Sequence, residues 1–302
     1  MTRQHRARFD AEITFANGGG LRTEGFRLDI PDPDITDNAL ATLLVRHLGL
    51  LMVAEVRISE KTIIEEPHQG GRGVATAAPG RRRLVELSHV ITDGMTTLPG
   101  WPTPRITDWL TLEASRANYA PGVEFQVGRI DMIANTGTYL DTPAHRWADG
   151  VDLAGVPVDR LADLPGALVR VPAGTRAVDP LLLAPYEVAG RAVLLCTGWD
   201  AYFGTDRYAT PEAPYLTGEG AEALVAAGAA LVGIDSINID DMTPAAAGER
   251  PAHSALLAAG IPIVEHLTGL DALPPTGFRF TAAPPRVAGM GTFPVRAFAT
   301  ID

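Results

Sequence analysis

What most constrains the fold lies in the second half of the chain, where nearly uninterrupted apolar strands alternate with helical segments. A-L-V-R-V at 167–171 and R-A-V-L-L-C-T-G-W at 191–199 read as strands. Thr217 then precedes the helical run E-G-A-E-A-L-V-A-A-G, and A-A-L-V-G-I-D-S-I-N-I-D follows as another strand with few polar breaks. The apolar segment A-L-L-A-A-G-I-P-I-V-E-H-L comes next. A strand that is apolar on both faces must be covered on both, so this pattern predicts a mixed-sheet α/β domain. No repeat at solenoid spacing and no heptad pattern competes with it.

The first part of the chain follows a different pattern. R-F-D-A-E-I-T-F alternates apolar and polar residues, N-G-G-G turns, and L-R-T-E-G-F-R-L-D-I alternates again, which predicts a hairpin. Thr36 or Asp37 caps a helix from Asn38 to about His47, with Leu40, Leu43, Leu44 and His47 at helical spacing. M-V-A-E-V-R-I-S-E-K-T-I-I-E-E returns to strand alternation as one or two further strands. Residues 1–66 are thus expected to form a small α+β module. Residues 67–83, rich in Gly, Ala, Pro and Arg and without a period, are expected to be a linker, and residues 84–302 a second domain. G-G-R-G within the linker lacks the Lys-Ser/Thr of a phosphate loop and opens no helix.

Charge and cysteine content narrow the function classes. A net charge of −11 argues against nucleic acid or an acidic membrane as partner, because phosphate binding needs a basic face. Arg81-Arg82-Arg83 is the one local exception and reads as solvated linker. The single cysteine, Cys196, permits no internal disulfide and sits in an apolar strand as a small core residue. The start M-T-R-Q-H-R-A-R-F-D has no apolar signal-peptide core, and no apolar run reaches the ~18 residues of a membrane span. These features lead to the expectation of a soluble cytoplasmic protein acting on a small molecule.

The chemistry is concentrated in N-T-G-T-Y-L-D-T-P-A-H, residues 135–145. Gly137 frees the backbone and Pro143 fixes φ, so the segment is expected to be an irregular turn at a strand end rather than a helix. Loops on a rigid scaffold are common sites of catalysis.

This segment resembles the H-x-G-T-H-x-D-x-P-x-H signature of the cyclase or bacterial kynurenine formamidase-like family of metal-dependent hydrolases. Gly137, Thr138, Asp141, Pro143 and His145 match, while Asn135 and Tyr139 stand where the family has two histidines. L-S-H-V-I-T-D-G-M-T-T-L-P-G-W-P, from Leu87, is similar to the family's opening segment, and His89 falls in it. The resemblance covers the second domain and implies the family's swivelling β/β/α fold and homodimers or larger homo-oligomers. It implies a zinc or manganese site, for which Asp141, His253 and Glu265 remain here, and a catalytic role for the final motif histidine, His145. A carboxamide or phenol is a much poorer ligand than imidazole, so the expected cofactor is a weakly bound divalent metal or none.

Asn135 and Tyr139 have a second reading, as hydrogen-bond partners for a substrate carbonyl, with Tyr139 donating to a developing oxyanion. His145 would then be the general base, oriented by Asp141 or Glu265, a task that suits imidazole near neutral pH. The activity that the resemblance implies is hydrolysis of an amide, formamide or lactone-like bond. Loss of a metal-bound water would instead suit a non-hydrolytic cyclase, dehydratase or isomerase, and a non-catalytic small-molecule binder is the alternative from another class.

Thr138 belongs to the same substrate-binding group. Trp101, in a Pro-rich loop, and Trp199 and Tyr202, in a segment with Tyr208 that resembles a family segment beside the active site, suggest a planar ligand. Asp235, Asp240 and Asp241 follow a strand, where site residues often lie, and capping or turn formation is favoured for the last two. His5, His47, His68 and His266 are assigned no function.

Overall fold

The computed structural model describes residues 3–30, 32–48, 50, 52–67 and 82–301. The chain forms two compact units, residues 1–78 and 79–302. Most of the expected linker, Arg81 included, lies outside the described residues.

In the first unit, β1 (Arg3–Phe15) pairs antiparallel with both β2 (Gly20–Ile30) and β3 (Val53–Pro67). Ala7, Phe9, Ala11 and Ile13 recur at period two on β1, and all four are buried on one face. Helix α1 (Asp37–Leu48) covers that face with Leu40 and Leu44. Thr36 Oγ1 accepts from Ala39 N at 3.3 Å at the start of this helix. The last stretch is a single strand.

The second unit holds a nine-stranded mixed sheet. Its strands are β4 (Arg83–Glu86), β5 (Tyr139–Asp141), β6 (Leu164–Arg170), β7 (Ala192–Cys196) and β8 (Leu231–Ile234), followed by β9 (Ile263–Glu265), β10 (Phe278–Thr281), β11 (Thr292–Pro294) and β12 (Phe298–Ile301). The order is β11-β5-β9-β8-β7-β6-β10-β12-β4. The central strands β6 to β9 are parallel, and antiparallel strands flank them on both sides.

The apolar run of β7 follows from this placement. Ala192, Leu194 and Cys196 face one buried cluster, with Leu168, Phe278 and Phe280. Val193 and Leu195 face the other, with Leu224 and Leu256 from the helices Gly218–Ala226 and Pro251–Ala258. Thr217 caps the first of these helices, accepting from Gly220 N at 3.0 Å. On β6, Gly166 admits the neighbouring strand, because a Cβ there would overlap the ring of Phe278.

Beyond β4 the chain reaches back to the middle of the sheet. Leu87 N donates to Ala297 O at 2.9 Å, and Leu87 O accepts from Thr268 N at 3.1 Å, just past β9. His89 N then donates to Thr138 Oγ1 at 3.0 Å, which ties the opening segment to the 135–145 motif. A separate two-stranded hairpin, Arg105–Leu110 with Val127–Asp131, carries no buried residue in its strands.

Candidate active site

β5 lies between β9 and β11, and this pairing assembles the site. Tyr139 stands opposite Glu265 on β9, and Asp141 stands opposite Thr292 on β11. Past Asp141, Pro143 opens a tight turn, Pro143–His145, that brings His145 back beside the strand. The irregular strand-end geometry expected from Pro143 is what forms.

Thr292 links the two motif residues. Its Oγ1 bonds Asp141 Oδ1 and also lies 2.6 Å from His145 Nδ1. A hydroxyl has one proton, and the carboxylate can only accept, so Thr292 donates to Asp141 and accepts from His145 Nδ1–H. That fixes the imidazole's tautomer and leaves Nε2 with a free lone pair. The side chain of His145 is 35% exposed.

His253 sits in the first turn of the helix Pro251–Ala258. Asp240 accepts from Ala252 N at 2.6 Å, from His253 N at 3.2 Å and from His253 Nδ1 at 2.6 Å. Asp240 therefore satisfies the helix start, as its expected capping role requires, and also orients a site imidazole. His253 Nε2 is left 3.7 Å from Asp141 Oδ2 and 3.7 Å from Glu265 Oε1. Burial pulls this imidazole down, but contacts with Asp141 and Asp240 and the charge of Glu265 outweigh it and raise its pKa to about 10.

A fully buried hydrogen-bonded chain backs the site. Glu265 Oε1 accepts from Ile239 N at 2.6 Å and Oε2 accepts from Tyr139 Oη at 2.7 Å. Tyr139 Oη lies 3.2 Å from His266 Nε2, and Tyr208 Oη lies 2.9 Å from His266 Nδ1. Tyr139 spends its proton on Glu265, so the chain runs in one direction, from Tyr208 through His266 and Tyr139 to Glu265. Burial, reinforced by His89, holds His266 down at about 3, so it is neutral. Burial and the charges of Glu265 and Asp141 push Tyr139 well above the usual phenol range. Burial also raises Glu265, against the opposing charge of His253.

Tyr139, His145, His253, Glu265 and Asn135 line one cavity of about 420 Å³. Leu98, Trp101, Ile237 and Met242 supply its apolar wall, and Asn238, Arg146 and Arg250 complete its polar edge. Thr138 is absent from this lining. It is buried, donating to His266 O at 2.6 Å and accepting from His89 N. Trp199 and Tyr202 line a different cavity of about 440 Å³, with Arg176 and Arg207. The indole of Trp199 donates to Tyr208 O at 2.9 Å, and Arg207 lies 4.1 Å over the ring of Tyr202. Asp235 holds the backbone N–H groups of Thr197 and Gly198 at 2.8 Å each.

Asp141 Oδ2 is buried without a hydrogen-bond partner, a costly state for a carboxylate unless a cation or proton meets it. Asp141, His145 and His253 each offer a ligand atom, all within 4.8 Å of one another. Glu265 Oε1 lies 3.7 Å from His253 Nε2, outside that group of three. Carboxylate and imidazole donors at this spacing fit a divalent ion. Tyr139 adds no ligand, because its proton is held against Glu265.

The family model described as "Putative cyclase" matches residues 85–241. The kynurenine formamidase of Salinibacter ruber is 28% identical over 214 residues, covering 71% of this chain and 95% of that protein. The kynurenine formamidase of Erythrobacter litoralis is 29% identical over 212 residues, covering 68% and 88%. Among solved structures, isatin hydrolase A from Labrenzia aggregata, bound to benzyl benzoate, superposes with a TM-score of 0.63 at 22% identity, covering 73% of this chain and 94% of that one. That likeness is one of fold.

Proposed function

Because this chain belongs to the cyclase family, we propose that it hydrolyses an amide bond of a small molecule, a formamide or cyclic amide above all, with His145 as general base. The observation that carries the reading is the sequence His145 Nδ1–H to Thr292 Oγ1–H to Asp141 Oδ1, which leaves Nε2 as the acceptor nitrogen of an imidazole that lines the cavity. The formamidase names of the sequence relatives favour C–N over ester cleavage.

The residues then divide the work. His145 Nε2 takes the proton of the attacking water, and Thr292 and Asp141 stabilise the imidazolium that forms. The same nitrogen returns that proton to the leaving amine. Asn135, at the cavity wall, is the donor to the carbonyl oxygen as it gains charge. Tyr139 positions Glu265 rather than the substrate, since its one proton is spent there.

Nε2 cannot hold an ion and take a proton at once, so Asp141, His253 and Glu265 are the groups that would hold zinc or manganese. Such an ion, when bound, supplies Lewis acidity at the substrate carbonyl.

Turnover in ¹⁸O-labelled water tests the reading. One labelled oxygen in the acid product is expected, and turnover without label would move the reaction to a non-hydrolytic cyclisation or isomerisation. Elemental analysis of His145→Ala should show metal content equal to wild type. Loss of the metal with that substitution would make His145 a ligand instead.

We further propose that the chain works as a homo-oligomer. The hairpin Arg105–Leu110/Val127–Asp131 and its connecting loop expose Trp109 (71%), Phe125 (53%) and Ile130 (47%). A two-stranded hairpin has little stability alone in water, and a second copy would cover it. Among the described residues no helix is long and apolar enough to cross a membrane. The one cysteine, Cys196, is free and buried, which is compatible with a reducing cytoplasm as the place of work.

A further inference from the structure

Building on the amide-hydrolase reading of this cavity, we propose that the substrate is a monoanion whose carboxylate, or similarly small anionic group, is bound at the outer wall by Arg146 and Arg250. Both arginines line the cavity of about 420 Å³ that holds His145, His253 and Glu265. Both also line an adjoining cleft of about 400 Å³, with Glu249 and Ser254, so they form the wall common to the two.

Each guanidinium is held in place without being neutralised. Arg146 lies 4.5 Å over the ring of Trp147. Arg250 donates through Nη1 to Glu249 O at 2.8 Å and through Nη2 to Met242 Sδ at 3.1 Å. Among the described residues neither makes an ion pair with a carboxylate, in a chain whose net charge is −11. A guanidinium has five N–H donors in a planar fork that matches a carboxylate, so both retain donors for a ligand.

The surrounding charges give the anion one favourable position. His253 Nε2 lies 3.7 Å from each of the buried carboxylates Asp141 and Glu265, so any positive charge there, the imidazole's or an ion's, is already met by two carboxylates. On the far side of the arginine wall, Glu249 lines the outer cleft and repels the anion from that side. What remains is the cavity face of Arg146 and Arg250. A monoanion bound there turns its neutral amide inward to His145, with its apolar body against Trp101, Ile237 and Met242. Charge polarity along the cavity would thus set the orientation of the substrate before any chemistry.

Calorimetric binding of 2-(methanesulfonamido)benzoate, whose sulfonyl group resists hydrolysis, and of the neutral 2-(methanesulfonamido)benzamide tests this. The benzoate should bind about tenfold tighter, the scale of one charge-assisted hydrogen-bond pair. Its affinity should fall with added salt. Arg250→Gln and Arg146→Gln should each bring the ratio toward one, Arg250→Lys should keep part of it, and the control Arg279→Gln, whose guanidinium pairs with Asp163 away from the cavity lining, should keep all of it. Equal binding of the two probes by the wild-type chain, or no binding of either, would overturn the proposal without recourse to any variant. Turnover is read separately. A benzoate preference with no amine released from 2-formamidobenzoate sinks the hydrolase reading and keeps the anion site, and turnover of formanilide with no anion preference does the reverse.

Discussion

Strand Tyr139–Asp141 and the hairpin strands Arg105–Leu110 and Val127–Asp131 belong to the same unit and mix apolar with acidic residues in the same way. All three residues of the first are buried, whereas nearly every residue of the hairpin is exposed. The inner strand has neighbours on both edges, so its backbone is satisfied and its side chains are held by Thr292, Glu265 and His266. Low dielectric around such a strand makes each polar contact count, and an unpartnered atom such as Asp141 Oδ2 is then a sign of chemistry. Among the described residues the hairpin has pairing on one edge of each strand only, and its exposed Trp109 is what the proposed second copy would cover. An unsatisfied group means something different in the two places because the solvent differs.

The largest expected effect is on the inner side. His145→Ala should lower kcat by about 10² to 10⁴, the usual contribution of a general base. Its melting temperature should stay close to wild type, because the side chain is one-third exposed. Unchanged kcat on a confirmed substrate would remove His145 from the mechanism. Thr292→Val comes next. It keeps the shape and deletes the hydroxyl between His145 and Asp141, and should cost roughly 10- to 100-fold in kcat, the size of an outer-shell loss. Thr292→Ser should restore most of it. A valine variant of full activity would break the proposed connection between the two motif residues.

Thr292 also marks the limit of what the sequence makes legible. Asp141 and His145 lie in one segment that resembles the family signature, and His253 and Glu265 match the family's later His and Glu, so the resemblance brings them forward. Thr292 lies 151 positions from Asp141 and meets it only through the pairing of β11 with β5. No local pattern carries that information. The α/β character of the second unit is legible because β7 must be apolar on both faces. The hairpin is not legible, since its strands have no buried face to impose a period. Trp199 and Tyr202 resemble a family segment near the active site, yet line another cavity, because stacking with Arg207 and the bond to Tyr208 O fix them there. Likewise Asp240 reads as a cap, and only the helix position of His253 gives it a second partner.

On the outer side the test is mass rather than rate. Trp109→Glu combined with Ile130→Glu should leave a folded chain whose mass by light scattering falls to that of one copy. Two charges on an apolar contact oppose its burial, while the same charges on a free surface change little. An unchanged multimer would place the interface elsewhere, and a wild-type monomer would leave the hairpin without its proposed partner. Tyr139→Phe brings the comparison back to the interior at a smaller scale. It removes the donor to Glu265 and the acceptor for His266 Nε2–H, and should cost about 1 to 3 kcal/mol of stability by denaturant titration. A phenylalanine variant as stable as wild type would mean that these buried partners find water or each other.

The smallest effect, and the one that separates interior from surface most directly, is a dependence on pH. Burial holds His266 at about 3 in the folded chain, against an ordinary histidine value near ~6.5. As pH falls through ~6.5 the unfolded chain takes up a proton that the folded chain refuses. The contribution of His266 to stability is therefore whole above that value and is lost progressively as pH falls toward 3. Asp235 and Glu265, raised by burial, act in the opposite sense, but they are common to a wild-type chain and His266→Gln. The difference between those two chains isolates the imidazole. Wild type should lead at pH 7.5, and its lead should shrink steadily down to pH 4.5. A constant difference over that window would mean that His266 titrates as an exposed histidine does, and that the chain from Tyr208 to Glu265 is open to water.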